Sequence, residues 1–200
     1  MFGFFKKKQK TAKALSRIAL TRQAAFLDLI KEVSEVKKPI YVFYFFEESK
    51  NYLKGLLTTE YLSFKDTTSE PTPPDADIYF INARTFSPHS FKFTKTKIVY
   101  CLDHYPLHSV FSNLSLALGE MSVPPELIIY GGLDEPILNR FGGERITQFM
   151  QKMGIQESEM IEHEMINNAI ESAQKKIEAK VTVESKSHSA SEWFTLNYNQ

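Results

Sequence analysis

Cys101, Asp103, His104 and His108 stand together in the stretch CLDHYPLH. Two chemistries use such residues. Cys101, His104 and His108 have the C-x2-H-x3-H look of zinc ligands, with Asp103 as a fourth donor. Pro106 lies between the two histidines, so one helical turn cannot present them, and the chain holds no second cysteine; no metal and no cofactor is assigned. The same residues also supply a nucleophile, a base and an orienting acid. Asp103 and His104 are sequence neighbours, however, and neighbours on an extended strand point to opposite sides. No catalytic residue is assigned on this pattern. His89, His163 and His188 read as surface or capping residues.

These side chains have to be placed by a scaffold. PIYVFYFFEES, ADIYFINART, KTKIVYCLDHY and PELIIYGG are short apolar, β-branched and aromatic runs, each bounded by turn-forming or charged residues, which is how buried parallel strands read. Tyr52, Leu53, Leu56 and Leu57 predict a helix after the first run, KDTTSEPTPPDAD a surface loop, and FSNLSLALGEM a buried helix face. Strands alternating with helices imply an α/β fold, a mostly parallel sheet covered on both faces. Ligands favour the crevice at the carboxyl ends of such strands. Asn82, Arg84, Cys101, Asp103 and His104 follow strand-like runs there and are the crevice candidates.

Before the first of these strands, Leu15, Ile18, Ala19, Phe26, Leu29, Ile30 and Val33 recur at helical spacing, predicting one or two helices over 12–36 that end at VKKPI. At the other end, VTVESKSHSASEWFTLNYNQ is serine-rich and then aromatic. Phe194, Leu196 and Tyr198 alternate like a half-buried strand that folds back on the domain or docks elsewhere.

Composition limits the function classes. Of 200 residues 42% are apolar and 13% aromatic, enough for a packed core. The formal charge is zero, so no overall field attracts a duplex, and no nucleic-acid partner is expected. One cysteine and no leader-like opening point to a reducing cytoplasm, and YVFYFF is far shorter than the ~20 residues of a membrane span. The first twenty-two residues hold seven bases and no acid, with Phe2, Phe4 and Phe5 ahead of the lysines. Residues 2–22 therefore read either as a solubilising terminus or as a weak contact with an anionic membrane surface, which would make the protein peripheral.

The segment from 133 to 180 resembles the SecA preprotein translocase ATPase family, at the end of its second nucleotide-binding domain and the start of its helical scaffold. Phe141-Gly142-Gly143-Glu144-Arg145-Ile146, then Ile161-Glu162-His163, then Ile170-Glu171-Ser172-Ala173-Gln174-Lys175-Lys176-Ile177-Glu178 follow the family's F-G-S-x-R-I, P-I-E-H and I-x-x-A-Q-K-K-V-E in order and spacing. Upstream, the likeness weakens but keeps its register. The family's Q-x-x-G-R-x-G-R motif then lands on Asn113 to Glu120, with Ala117 and Glu120 where the arginines belong. Such arginines contribute about 10³ to 10⁵ in rate, and no G-x-x-x-x-G-K-[ST] loop occurs.

The resemblance thus implies a three-layer RecA-like, P-loop-NTPase-like domain that is degenerate, stand-alone and without ATP. Flanking segments precede and follow it: 1–37 basic segment and helices, 38–153 α/β domain, 154–180 scaffold-like helix, 181–200 tail. Ile146, Phe149, Met150 and Met153 would stripe a short helix closed by Gly154. Met165, Ala169, Ile170, Ala173 and Ile177 would line one face of the next, for a protein partner or a second copy of the chain. The implied function is a non-catalytic interaction module linked to protein export. The alternative is a ligand-binding α/β protein or an enzyme using the crevice near Cys101 and His104.

Overall fold

The structure, a computed structural model, describes residues 10–36, 38–93, 96–141, 147–148, 152, 154, 156 and 159–198. Six strands form one sheet: β1 (Ala14–Ala19), β2 (Ile40–Tyr44), β3 (Phe64–Asp66), β4 (Ile78–Asn82), β5 (Ile98–Cys101) and β6 (Glu126–Gly132). The helices are α1 (Arg22–Glu35), α2 (Glu47–Thr59), α3 (His108–Gly119), α4 (Pro136–Arg140), α5 (Glu164–Glu178) and α6 (Ala190–Asn197). The strand order is β1-β6-β5-β2-β4-β3, and every pairing is parallel.

The period-two geometry of the strands builds the layers. Ile40, Val42 and Tyr44, with Phe80, Tyr100, Ile128 and Tyr130, face Phe26, Leu29 and Val33 of α1 and Leu53 and Leu57 of α2. Tyr41 and Phe43, with Tyr79, Val99, Leu127 and Ile129, face Leu114 and Leu118 of α3, Ile137 of α4, Ile170 and Ile177 of α5, and Trp193 and Phe194 of α6. The result is the expected α/β sandwich, with helices on both faces. The chain leaves β2 toward β3 and leaves β5 toward β6, so the two neighbours β2 and β5 part at their carboxyl ends. That is the topological switch point where α/β crevices form.

Three local readings are corrected. Residues 14–19 are a strand, not the start of a helix, and pair with β6 from Ala14 with Leu127 to Ala19 with Gly132. Ser16 and Arg17 interrupt the apolar alternation, so tertiary pairing rather than local pattern selects the strand. Thr21 then caps α1, its hydroxyl accepting from the Ala24 N–H at 3.2 Å. A boundary at 37/38 falls between elements of one unit, since β1 is a strand of the same sheet and α1 packs on that sheet.

The aromatic tail is the helix α6, not a strand. Ser189 caps it, and Phe194 and Tyr198 lie one turn apart with ring centroids at 5.9 Å. It folds back on the domain, with Trp193 fully buried and Leu196 half exposed.

The buried face of α5 is Ile166, Ile170, Ala173, Gln174 and Ile177. It is rotated from the expected stripe, so Met165, 58% exposed, and Ala169 face outward. His163 caps this helix, Nδ1 accepting from the Met165 N–H at 3.1 Å. The corner at 142–146 and the stripe Ile146, Phe149, Met150 and Met153 lie outside the described residues. Gly154 has φ +70°, the left-handed conformation that suits glycine at a helix end.

This packing predicts different outcomes at adjacent positions of α5. Ile170→Asp places a charge in the core and should lower stability by about 3 kcal/mol or more without changing the oligomeric state. Met165→Asp should stay within about 0.5 kcal/mol of the parent. Denaturant midpoints and sedimentation of the two variants check both.

Candidate functional site

The crevice candidates do not act as one group. Asn82 closes the turn after β4, its Oδ1 accepting from the Arg84 N–H at 3.0 Å. The Arg84 guanidinium lies over the Tyr105 ring, 4.6 Å from its centroid, and pairs with Glu184 at 2.5 Å. Glu184 also accepts from the Trp193 Nε1–H at 2.7 Å. Arg84 therefore ties the tail to the domain. Cys101 is wholly buried, and burial pushes its thiol up, so it is held as a thiol, not as a nucleophilic thiolate.

Asp103 and His104 diverge as neighbours on a strand end do. The Asp103 carboxylate turns to the start of α2: Oδ2 accepts from the Phe45 and Phe46 N–H groups at 3.2 and 3.4 Å, and Oδ1 from the Ser49 hydroxyl. Asp103 is 4% exposed. Burial raises its pKa from 3.8 to about 7 against the pull of those hydrogen bonds, and Glu135 raises it further.

His104 turns the other way. Nε2 lies 3.0 Å from the Ser16 hydroxyl on β1, and Nδ1 lies 3.6 Å from Glu135 Oε2 in the β6–α4 turn. Glu135 is anchored by the Gly132 N–H, which donates to Oε1 at 3.0 Å. A Cβ at Gly131 would fall within 3.0 Å of the His104 ring and of Glu135, so only glycine admits the two side chains here.

Two cavities flank His104. One, of about 100 Å³, opens at the strand ends between Arg22, Glu48, Asp103, Glu135, Ile137 and Phe194. The other, of about 260 Å³, lies under α3 and α5 and is lined by Ser16, His104, Phe111, Ile129, Asn167 and Ile170 among others. His108 lines this second cavity and faces Glu171 at 3.5 Å. Among the described residues no three histidines, cysteines or acids are placed to hold a metal ion.

Sequence reasoning did not single out Ser16, Glu135, Arg22 or Glu48. Ser16 and Arg22 lay in a stretch read as helical, and Glu135 is 31 residues beyond His104 with no motif to join them. The polar Ser16, two residues before the apolar Ile18 on the same face, was the signal available.

The structure also places the two residues set against the family's arginines. Ala117 and Glu120 lie at the carboxyl end of α3, which leads to the start of β6. That end of α3 lies toward the amino ends of the strands, away from the crevice at their carboxyl ends.

No family model matches the chain. Relatives in sequence include proteins described as protein translocase subunit SecA. The one from Bacteroides thetaiotaomicron is 43% identical over 60 residues, which is 30% of this chain and 5% of the relative. The one from Desulforapulum autotrophicum is 47% identical over 60 residues, 30% of this chain and 7% of the relative. The one from Acidithiobacillus ferrooxidans is 39% identical over 62 residues, 31% and 7%. The chain thus spans only a small part of these relatives' length. Among solved structures, the C-terminal part of the Fun30 ATPase domain aligns with 76% of this chain and 54% of its own at 12% identity, with a TM-score of 0.39. About three tenths of the chain is SecA-like in sequence, a partial-domain likeness joined to a six-stranded all-parallel sheet.

Proposed function

We propose that the chain is a SecA-like protein without the motor's ATP chemistry, acting as a protein-interaction module linked to protein export. The observation that carries the export link is the SecA-like stretch of sixty residues. The absence of nucleotide chemistry is supported by the start of α2. A helix N-terminus at the switch point is where an α/β fold would receive phosphate, because its N–H groups point outward. Here the Phe45 and Phe46 N–H groups donate to Asp103, and the Glu48 N–H donates to the His188 carbonyl of the tail at 3.1 Å. Glu47 and Glu48 occupy the first turn. An incoming phosphate would meet three carboxyl groups and find these three N–H groups already bonded.

The partner surface follows from the rotation of α5. Ile170, Ala173 and Ile177 are covered by the domain itself, which leaves Met165 and Ala169 outward as the residues a protein partner could contact. No helix among the described residues is long and apolar enough to cross a membrane. Of the basic segment 2–22, residues 2–9 lie outside the described residues and 14–19 are committed to the sheet, so contact with an anionic surface would have to come from the part before β1. A peripheral, cytoplasmic placement agrees with this reading.

Three outcomes are expected. A photo-reactive residue at position 165, in the native host, should cross-link to a component of the export apparatus; cross-links only to unrelated proteins would remove the export reading. The purified chain should show no magnesium-dependent ATP turnover, measured as phosphate release. For Asp103, the folded pKa of about 7 lies above the ordinary 3.8, so the folded chain holds the extra proton between those values. Stability conferred by that proton is present at low pH and is lost as pH rises toward 7. Asp103→Asn should flatten this fall, read as the difference between denaturant midpoints at pH 5 and pH 7.

A further inference from the structure

We propose that Ser16, His104 and Glu135 form a nucleophile, base and orienting relay at the wall of the 260 Å³ cavity, able to hydrolyse small esters with an apolar acyl group. This goes beyond the export reading and does not rest on it, since the reacting group is an ester and not a nucleotide.

The atoms are in the order that acyl transfer needs. The serine hydroxyl meets Nε2 of the imidazole at 3.0 Å, and Nδ1 faces a carboxylate oxygen at 3.6 Å. Nδ1 is buried without a hydrogen-bond partner at this distance, and such contacts tighten when substrate binds. All three members are held: Ser16 by the β1–β6 pairing, His104 by the end of β5, and Glu135 by the Gly132 N–H. The space for ring and carboxylate exists because residue 131 is glycine. The relay crosses the sheet end, with Ser16 on the larger cavity and Glu135 on the smaller one.

The larger cavity supplies the remaining parts. Asn167 is fixed there by the Ser16 N–H, which donates to its Oδ1 at 3.1 Å. In this scheme the NH₂ of the same carboxamide, in the lining of the cavity that Ser16 shares, is the donor for the developing oxyanion. Phe111, Ile129 and Ile170 give the apolar wall, and the volume admits a short acyl chain.

In the first half-reaction Ser16 Oγ bonds to the carbonyl carbon while its proton passes to His104 Nε2 and the carbonyl electron pair moves onto oxygen. Collapse breaks the bond to the leaving alcohol, whose oxygen takes that proton. Water then attacks the acyl-serine with the same proton transfers, releasing the carboxylic acid and restoring Ser16. Ser16, His104 and Asn167 are catalytic residues in this scheme, and Glu135 is a positioning residue.

The test uses the full chain and a small alkyl fluorophosphonate, followed by peptide mapping. The expected result is an adduct on Ser16 in the folded protein and none after denaturation. p-Nitrophenyl butyrate should be hydrolysed above background, with loss in Ser16→Ala. His104→Gln should slow both reactions at least 100-fold, and Asn167→Leu should slow hydrolysis by about 10² to 10³, the usual cost of one oxyanion donor. Glu135→Gln should lower kcat about tenfold with KM unchanged, a split that a purely structural role would not produce. Absence of a Ser16 adduct on the folded parent chain overturns the proposal even if every variant fails to fold. Labelling that is equally fast in His104→Gln overturns it as well.

Discussion

A parallel sheet with apolar residues on both faces cannot be left with either face in water, and this requirement organises the molecule. Each large side chain removed from water stabilises the fold by about 1.5 to 3 kcal/mol, and the strands here alternate Tyr41, Phe43 and Ile129 on one side with Val42, Tyr44 and Tyr130 on the other. α1 and α2 suffice for the second face. The first face needs α3, α4, α5 and finally α6, whose Trp193 and Phe194 are buried completely or nearly so. The tail is therefore part of the core. Its register is fixed by Glu184, which receives hydrogen bonds from Arg84, Tyr105 and Trp193.

Covering the first face in this way also shapes the strand ends. With α6 laid across the carboxyl edge, the His188 carbonyl reaches the start of α2, and the crevice shrinks to a cavity of about 100 Å³. Asp103 is enclosed with its hydrogen bonds made from within. Enclosure costs the charged form more than three hydrogen bonds return, which is why its pKa rises despite them. His104, turned to the other side, meets Ser16 and Glu135 in a setting where neither cysteine nor Asp103 takes part.

The strand runs 40–44, 78–82, 98–101 and 126–132 were legible because uninterrupted β-branched and aromatic residues bounded by turn formers have few other ways to bury themselves. β1 was not, because Ser16 and Arg17 break its pattern and its identity as a strand comes from pairing with β6. Among the described residues Arg17 is held by Glu32, Glu162 and Tyr130, which stand 15, 145 and 113 residues away along the chain. The tail misled for a related reason. Phe194, Leu196 and Tyr198 alternate, but Phe194 and Tyr198 are also one helical turn apart, and the Ser189 cap together with burial of Trp193 selects the helix. On α5 the amphipathic pattern was visible, while its rotation was decided by which residues met the sheet.

The sequence by itself determined the α/β class, the strand-and-helix alternation and the SecA-like order of residues, since these rest on local spacing that every copy of the chain carries. It also placed Asp103 and His104 on opposite sides of one strand end, because adjacent extended residues must diverge. Only the tertiary structure decided what each then meets: the N-terminus of α2 for Asp103, and Ser16 and Glu135 for His104. Those partners stand 88 and 31 residues away along the chain. Ser16 comes within a few ångströms of His104 when β1 joins β6 at the edge of the sheet, and Glu135 when β6 joins β5, and no spacing in the sequence records those pairings.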